Sequence, residues 1–390
     1  MKPTGFFFLF LCFLFLSIGC NQKSKQTEIK LISKGIFEIP IDEQTSKSWS
    51  FIETYEDKNG EYLVFHDFLK TEPRFIHFVN IRDTTQSFNI PLAINGPNGI
   101  GHLDGFYVRN LDSIFVLNRY AYQLNLVDSS GKVKDTYRLR ADDSNEPALD
   151  STLPFPWTFA PIIDLGEMLL IPSYPDAHPF KQGYKQKNLA IALDPKSKEF
   201  EYKLGFSDKY FSSGFWGVFL ETPSYTVNYR DSVIIQSFPI DDRVFVFDFD
   251  LNLINSPSLF KNYYSDKFHS LPDLNMERDV FYPNTYSNPS NKAIIYDPYR
   301  QLYYRTYQEA YSQEAIDEML YSSHRSLKEQ EQPRKIIQVM DSDFNELGVV
   351  FLEKEKYWID DIQVVRDGLL IWIDTDDEDK KIFEIFEVEY

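Results

Sequence analysis

Trp157, Tyr174, His178, Tyr184, Trp216 and Trp358 are the side chains of this sequence best suited to hold a ligand. Flat aromatic rings offer stacking area and apolar contact to a sugar or a peptide, and Tyr, Trp and His add a polar edge that orients it. Most of them fall in irregular aromatic stretches: FPWTF around Trp157, YPDAHPFKQGY from Tyr174 and KYFSSGFWGVF from Lys209. The competing reading is that such rings fasten long loops onto a scaffold. A second candidate is INGPNGIGHLDG, residues 94–105, which holds Gly99, Gly101 and His102. Glycines allow a backbone to approach a ligand closely, but no helix follows here to supply the dipole of a phosphate cradle. A tight crossing that needs positive φ explains the same glycines. His102 is either a site residue or a hydrogen-bonded residue of the rim.

Chemistry that would need a fixed motif is not signalled. The six histidines show no HExxH spacing, and no GxSxG elbow occurs. DTDDEDK from Asp374 begins like a calcium loop, yet Asp379 stands where the turn glycine belongs and Ile385 where the closing Glu belongs. It reads as a solvated connection, and neither a metal nor a cofactor is expected. The net charge of −19 leaves no basic stripe for phosphates, so nucleic acid is not an expected partner.

The elements that must position these residues are strands. One unit recurs six times: an apolar run, a tight polar turn and a second apolar run. FYVRNLDSIFVL, from Phe106, is the clearest copy. Its relatives are ETYEDKNGEYLVF, PIIDLGEMLLI, VNYRDSVIIQ, IIYDPYRQLYY and QVVRDGLLIW. A third and a fourth strand follow each copy. Asp128, Asp194, Asp250 and Asp341 stand where a side chain can close the turn between them. Four antiparallel strands repeated in this way predict an all-β, six-bladed β-propeller over residues 29–390, with first strands near Trp49, Asp104, Thr158, Ser224, Ala293 and Ile359. The last blade runs out at Tyr390 one strand short, and IKLISKGIFEIPI near the N-terminus is the spare strand that completes it. One segment has helical spacing: residues 313–333, with Ile316, Met319, Leu320 and Leu327, a short insertion in blade five.

The meander sorts its loops. First-to-second and third-to-fourth turns leave on one face and are short; the other connections leave on the opposite face and are long. The long ones carry the aromatic stretches, so function is expected on that face or at the mouth of the central channel.

The N-terminus has a separate role. FFFLFLCFLFLSI, residues 6–18, has the length of a signal-peptide core and is too short to span a bilayer comfortably. Gly19 before Cys20 reads as a lipobox, which predicts a lipoprotein signal peptide over residues 1–19, lipidation of Cys20 and a polar tether over residues 20–28. Cys12 is lost with the signal, so no intrachain disulfide and no free catalytic thiol is expected.

GPNGIGHLDGFYVRNLDSIFVL, taken with the lipobox and the terminal strand arrangement, resembles a family of Bacteroidota lipoproteins with a domain of unknown function and a six-bladed, TolB-like propeller. The resemblance implies architecture and location, and carries over no catalytic residue. The expectation is an exported protein held by Cys20 in the cell envelope, on the periplasmic side of the outer membrane. It would bind an envelope protein or glycan on its long-loop face. The alternative is a hydrolase or lyase with its site at the channel mouth.

Overall fold

The computed structural model describes residues 29–42, 45, 49–67, 72–140, 152–175, 184–211, 214–259, 268–271, 277–321, 332–354, 356–375 and 377–390. The expected signal peptide, Cys20 and the expected tether lie outside the described residues.

Six antiparallel sheets form the six blades expected. Blade one is β2 (Trp49–Asp57), β3 (Gly60–Asp67), β4 (Arg74–Asn80) and β5 (Phe88–Leu92). Blade two is β6 (Gly105–Asn110), β7 (Ser113–Asn118), β8 (Gln123–Val127) and β9 (Val133–Arg138). Blade three opens on two short pieces, β10 (Thr152–Pro154) and β11 (Ile163–Asp164), which pair with the same strand, β12 (Leu169–Pro175). It continues through β13 (Ala190–Leu193) and β14 (Phe200–Lys203). Blade four is β15 (Ser224–Asn228), β16 (Val233–Ser237), β17 (Val244–Asp248) and β18 (Leu253–Asn255). Blade five is β19 (Ser290–Asp297), β20 (Leu302–Gln308), β21 (Lys335–Met340) and β22 (Glu346–Phe351). Blade six is β23 (Tyr357–Val365), β24 (Gly368–Ile373), β25 (Lys380–Glu389) and, from the other end of the chain, β1 (Lys30–Pro40). β1 runs antiparallel to β25 from Lys30↔Glu389 to Pro40↔Lys380 and closes the ring, as the spare strand predicts.

Each sheet is covered on both faces by its neighbours, so middle strands are almost continuously apolar rather than alternating. β7 (SIFVLN) and β12 (LLIPSYP) are buried nearly throughout, whereas outermost β18 is exposed at every residue. The core is accordingly divided into wedges between adjacent blades. Phe51, Phe78 and Phe106 fill the first, Leu124 and Ile171 the second, Leu170 and Tyr225 the third. Val246 and Tyr303 fill the fourth, Tyr304 and Phe386 the fifth, and Phe37, Phe65 and Phe383 the last.

The turn aspartates follow the sequence reading with one correction. Asp128, Asp194 and Asp341 accept from backbone N–H groups two residues on, at 2.7 to 2.9 Å. In blade four that position belongs to Asp248, which takes the Asn252 amide at 2.8 Å, rather than to Asp250. The first strand of blade three is also corrected: Thr158 lies in the segment between β10 and β11.

Helices are few among the described residues: α1 (Val218–Glu221), α2 (Arg278–Tyr286) and α3 (Gln313–Tyr321). The last is the expected insertion between the second and third strands of blade five; residues 322–331 lie outside the described residues. No helix among the described residues is long and apolar enough to cross a membrane.

Candidate ligand-binding cleft

The first strand of each blade lines the channel, and on the long-loop side several leave their ladders. β2 shifts register between Trp49 and Phe51, β19 between Asn291 and Ile294, and β23 between Trp358 and Gln363. In β23 the irregularity is large: five residues of one strand advance while its partner moves from Trp372 to Leu370. A bulge bends a strand and re-aims its side chains, here towards the channel mouth. In blade three the interruption grows into a reversing segment, held by a bridge between Trp157 and Ala160.

That segment crosses the channel. Thr158 Oγ1 accepts from the Ile52 amide of blade one at 3.1 Å, and its hydroxyl donates to the Asp361 carboxylate of blade six. A cavity of about 150 Å³ remains, bordered by Thr54, Phe159, Thr226, Asp360 and Gln363. Asp360 also borders a second, larger space of about 400 Å³ on the long-loop face. This cleft lies among α2, α3 and blades five and six, with Tyr286, Lys292, Tyr311, Lys335 and Trp358 in its walls.

Its electrostatics follow from the β23 bulge. Burial pushes the Asp361 carboxyl up to about 6; Lys381 opposes the shift, Asp360 reinforces it and the Thr158 hydroxyl opposes it. One oxygen of Asp360, Oδ1, is buried with no hydrogen-bond partner among the described residues. Burial also pushes Tyr311 up to about 12, helped by Tyr286 and by Asp360. The Lys335 ammonium donates to the Tyr357 carbonyl at 2.7 Å and lies 5.8 Å from the Trp358 ring centre. Trp358 is 39% exposed, with its ring 5.5 Å from that of Trp372 between centres.

The neighbouring loops are held by buried polar groups. The Arg305 guanidinium donates to the carbonyls of Asp241 and Asp242 at 2.6 and 2.8 Å. The Asn291 amide reaches the carbonyls of Phe238, Pro239 and Asp241. Glu221, fully buried, accepts from the Tyr174 hydroxyl at 3.0 Å and the Trp216 amide at 3.2 Å. Lys185 donates to the carbonyls of Tyr210 and Gly214 at 2.7 and 2.6 Å.

The expected site residues therefore separate. Trp358 is in the cleft wall. Trp216 is 3% exposed and packs with Phe206, Tyr210 and Phe238 beneath the long loops, so its ring is closed to a ligand. Tyr174 is buried and its hydroxyl is engaged by Glu221. Trp157 is half-buried and stacks on Phe159 in the segment that crosses the channel. His102 is exposed and lies edge-on to Tyr120, with 5.5 Å between ring centres. A Cβ on Gly99 would come within 2.6 Å of the Ile94 carbonyl, and one on Gly101, at φ +76°, within 2.2 Å of the Asn118 amide. Both glycines thus serve the tight crossing between blades one and two. His178 and the Tyr184 side chain lie outside the described residues. The sequence reading did not single out Lys292, Asp360 and Tyr311, which line the cleft, or Asp361 next to it in β23. The visible signal for two of them was WIDDIQ, a pair of carboxylates inside a run that otherwise reads as strand.

The short-turn end of the channel holds a different group. Glu53 accepts from the Val108 amide at 3.0 Å, and Arg109 and Tyr107 both donate to Asp164, at 2.6 and 3.2 Å. Burial pushes the Glu53 carboxyl up to about 8 against the pull of the Val108 amide. The folded protein then holds a proton that the unfolded chain releases in the ordinary carboxylate range. Stability falls as pH rises from there through about 8. Glu53→Gln keeps an acceptor for Val108 and removes the charge. The variant is expected to unfold at a higher temperature than wild type at pH 9 and to show a flatter profile between pH 5 and 9. Parallel profiles would contradict the assignment.

No curated protein matches the sequence. Among solved structures, a member of the DUF4221 family from Bacteroides vulgatus superimposes with a TM-score of 0.74 at 22% identity, covering 94% of this chain and 99% of that one. A protein from Bacteroides fragilis that bears an exported-protein name gives a TM-score of 0.52 at 11% identity, covering 94% and 97%. At these identities both show the fold alone. The family profile "Domain of unknown function (DUF4221)" matches residues 28–348, most of the propeller, and the chain belongs to that family.

Proposed function

We propose that this protein is a binding module of the cell envelope, anchored through Cys20 on the periplasmic side of the outer membrane. Its partner, an envelope protein or glycan, enters the cleft on the long-loop face. The observation that carries the reading is the cleft itself: about 400 Å³, within the range of small-ligand sites, with an exposed Trp358 ring and charged side chains on bulged strands of a rigid scaffold. The lipobox at Cys20 and the exported-protein name of one structural neighbour support the location.

A second reading, a hydrolase or lyase at the channel mouth, draws support from adjacent Asp360 and Asp361. A carboxyl held near 6, as Asp361 is, can act as an acid or a base at neutral pH. One capture experiment addresses both. Full-length protein, cross-linked in cells and purified from the membrane fraction, is expected to bring down a ligand that Trp358→Ala loses by tenfold or more while its circular dichroism is unchanged. Cys20→Ser should move the protein to the soluble fraction with capture intact. Equal capture by Trp358→Ala would remove the cleft from the reading. A ligand recovered cleaved, with Asp361→Asn stopping the cleavage, would favour the enzyme.

A further inference from the structure

Two charges of opposite sign, unpaired among the described residues, line the cleft. Lys292 stands in the β19 bulge, and its ammonium has neither a hydrogen bond nor an ion pair among the described residues. Asp360 stands in the β23 bulge, its Oδ1 buried and unpartnered among the described residues. The two do not pair with each other, although both border the same space. A carboxylate with one oxygen withdrawn from solvent and without a donor is poorly stabilised, and a cation bound in the space that half-buried Asp360 borders would offset that. The other charges of the cleft are engaged or peripheral: Lys335 is held by the Tyr357 carbonyl, and Asp374 is exposed.

We propose that the cleft recognises a zwitterion, a short peptide with both ends free, whose ammonium meets Asp360 and whose carboxylate meets Lys292. The inference rests on the reading of the cleft as the ligand site and departs from that reading in the occupant, a free peptide in place of an envelope protein or glycan. The aromatic walls fit the same class. Tyr311 and Trp358 offer π faces to an ammonium and apolar area to a side chain. The space, about 400 Å³, holds a ligand of a few residues rather than a folded partner. A neutral glycan could give Asp360 a hydroxyl but would offer Lys292 no anion. A divalent cation would want further oxygens, and among the described residues no group of three His, Cys, Asp or Glu side chains is placed to hold one.

The test uses full-length Cys20→Ser protein, with titration calorimetry and the tryptophan fluorescence of the cleft as readouts. The probes are the dipeptide Leu-Tyr, its N-acetyl form, its C-amide form and the neutral disaccharide chitobiose. Free Leu-Tyr is expected to bind, and blocking either end should weaken it tenfold or more. Asp360→Asn should abolish the discrimination against the N-acetyl form, and Lys292→Gln that against the C-amide, with unfolding temperatures close to the parent's. Equal binding of free and blocked peptides, binding of chitobiose alone, or no binding of any probe would overturn the proposal. If Trp358-dependent capture persists in that case, the cleft remains a ligand site and only its ligand class is wrong.

Discussion

A chain that begins at Asp42 is expected to be largely insoluble when produced, and any soluble fraction should unfold at least ~10 °C below the chain that begins at Cys20. The reason is the closing strand. β1 supplies Phe37 and Ile39, 5% and 2% exposed, to the wedge between blades six and one, and Ile29 just before it to the wedge between blades five and six. Burying three such side chains contributes roughly 5–9 kcal/mol, comparable with the whole stability of a typical domain, about 5–15 kcal/mol. Deletion also bares the edge of β25, KKIFEIFEVE, a long strand with several apolar residues and unpaired backbone groups. A synthetic peptide of residues 29–41 added during refolding should restore solubility by pairing with that edge. A monodisperse deletion variant with an unchanged unfolding temperature would show that the ring does not depend on β1 for closure.

That strand was legible in the sequence because a propeller must count out. A final blade with three strands and an apolar run left over at the other end have one economical solution. The hairpins were legible for a related reason: sheets covered on both faces give uninterrupted apolar runs, and only polar turns break them. Precision failed where the pattern is degenerate. In RVFVFDFDLNLI, Asp248 and Asp250 are two residues apart in a run that alternates with the period of a strand, so the pattern does not tell that the strand ends at Asp248 and that this residue closes the turn. In blade three the first strand is divided by the segment that holds Thr158, and propensity does not show that a strand has been split.

The cleft was less legible. Aromatic type drew attention to Trp216 and Tyr174, but whether a ring faces solvent depends on how the long loops fold back. Glu221 and Lys185, far apart in the chain, decide that by engaging groups from several loops at once. Lys292 and Asp360 carry ordinary side chains in ordinary-looking strands. What sets them apart is register: bulges in β19 and β23 remove them from the ladder, and a bulge is visible only once the partner strand is known. Trp358 stands out in the sequence by its aromatic type alone; that it borders the cleft follows from its place beside the β23 bulge.

The same dependence on buried polar groups makes Arg305 the most consequential single residue outside the cleft. It is fully buried in β20, and its guanidinium donates to the carbonyls of Asp241, Asp242 and Arg243 and to Ser237 Oγ. Arg305→Ala is expected to cost about 3–5 kcal/mol, because it opens a cavity and takes one donor from each of these acceptors, leaving the Asp241 carbonyl only Asn291 and the Asp242 carbonyl only the Leu259 amide. Arg305→Met separates the two causes. It refills much of the volume but supplies no donor, so a loss close to that of alanine assigns the effect to the hydrogen bonds. Full recovery would assign it to packing. The consequence extends to the cleft, since the loop Arg305 holds is also the one to which Asn291 is bonded, through the Pro239 carbonyl at 2.9 Å from its backbone amide. Asn291 precedes Lys292. A loosened loop should therefore blur the position of the cleft's cation, and Arg305→Met is expected to weaken capture of the cleft ligand at temperatures well below its unfolding transition. Undiminished capture by a variant that has lost several kcal/mol would show that the bulge of β19 holds Lys292 without help from the loop.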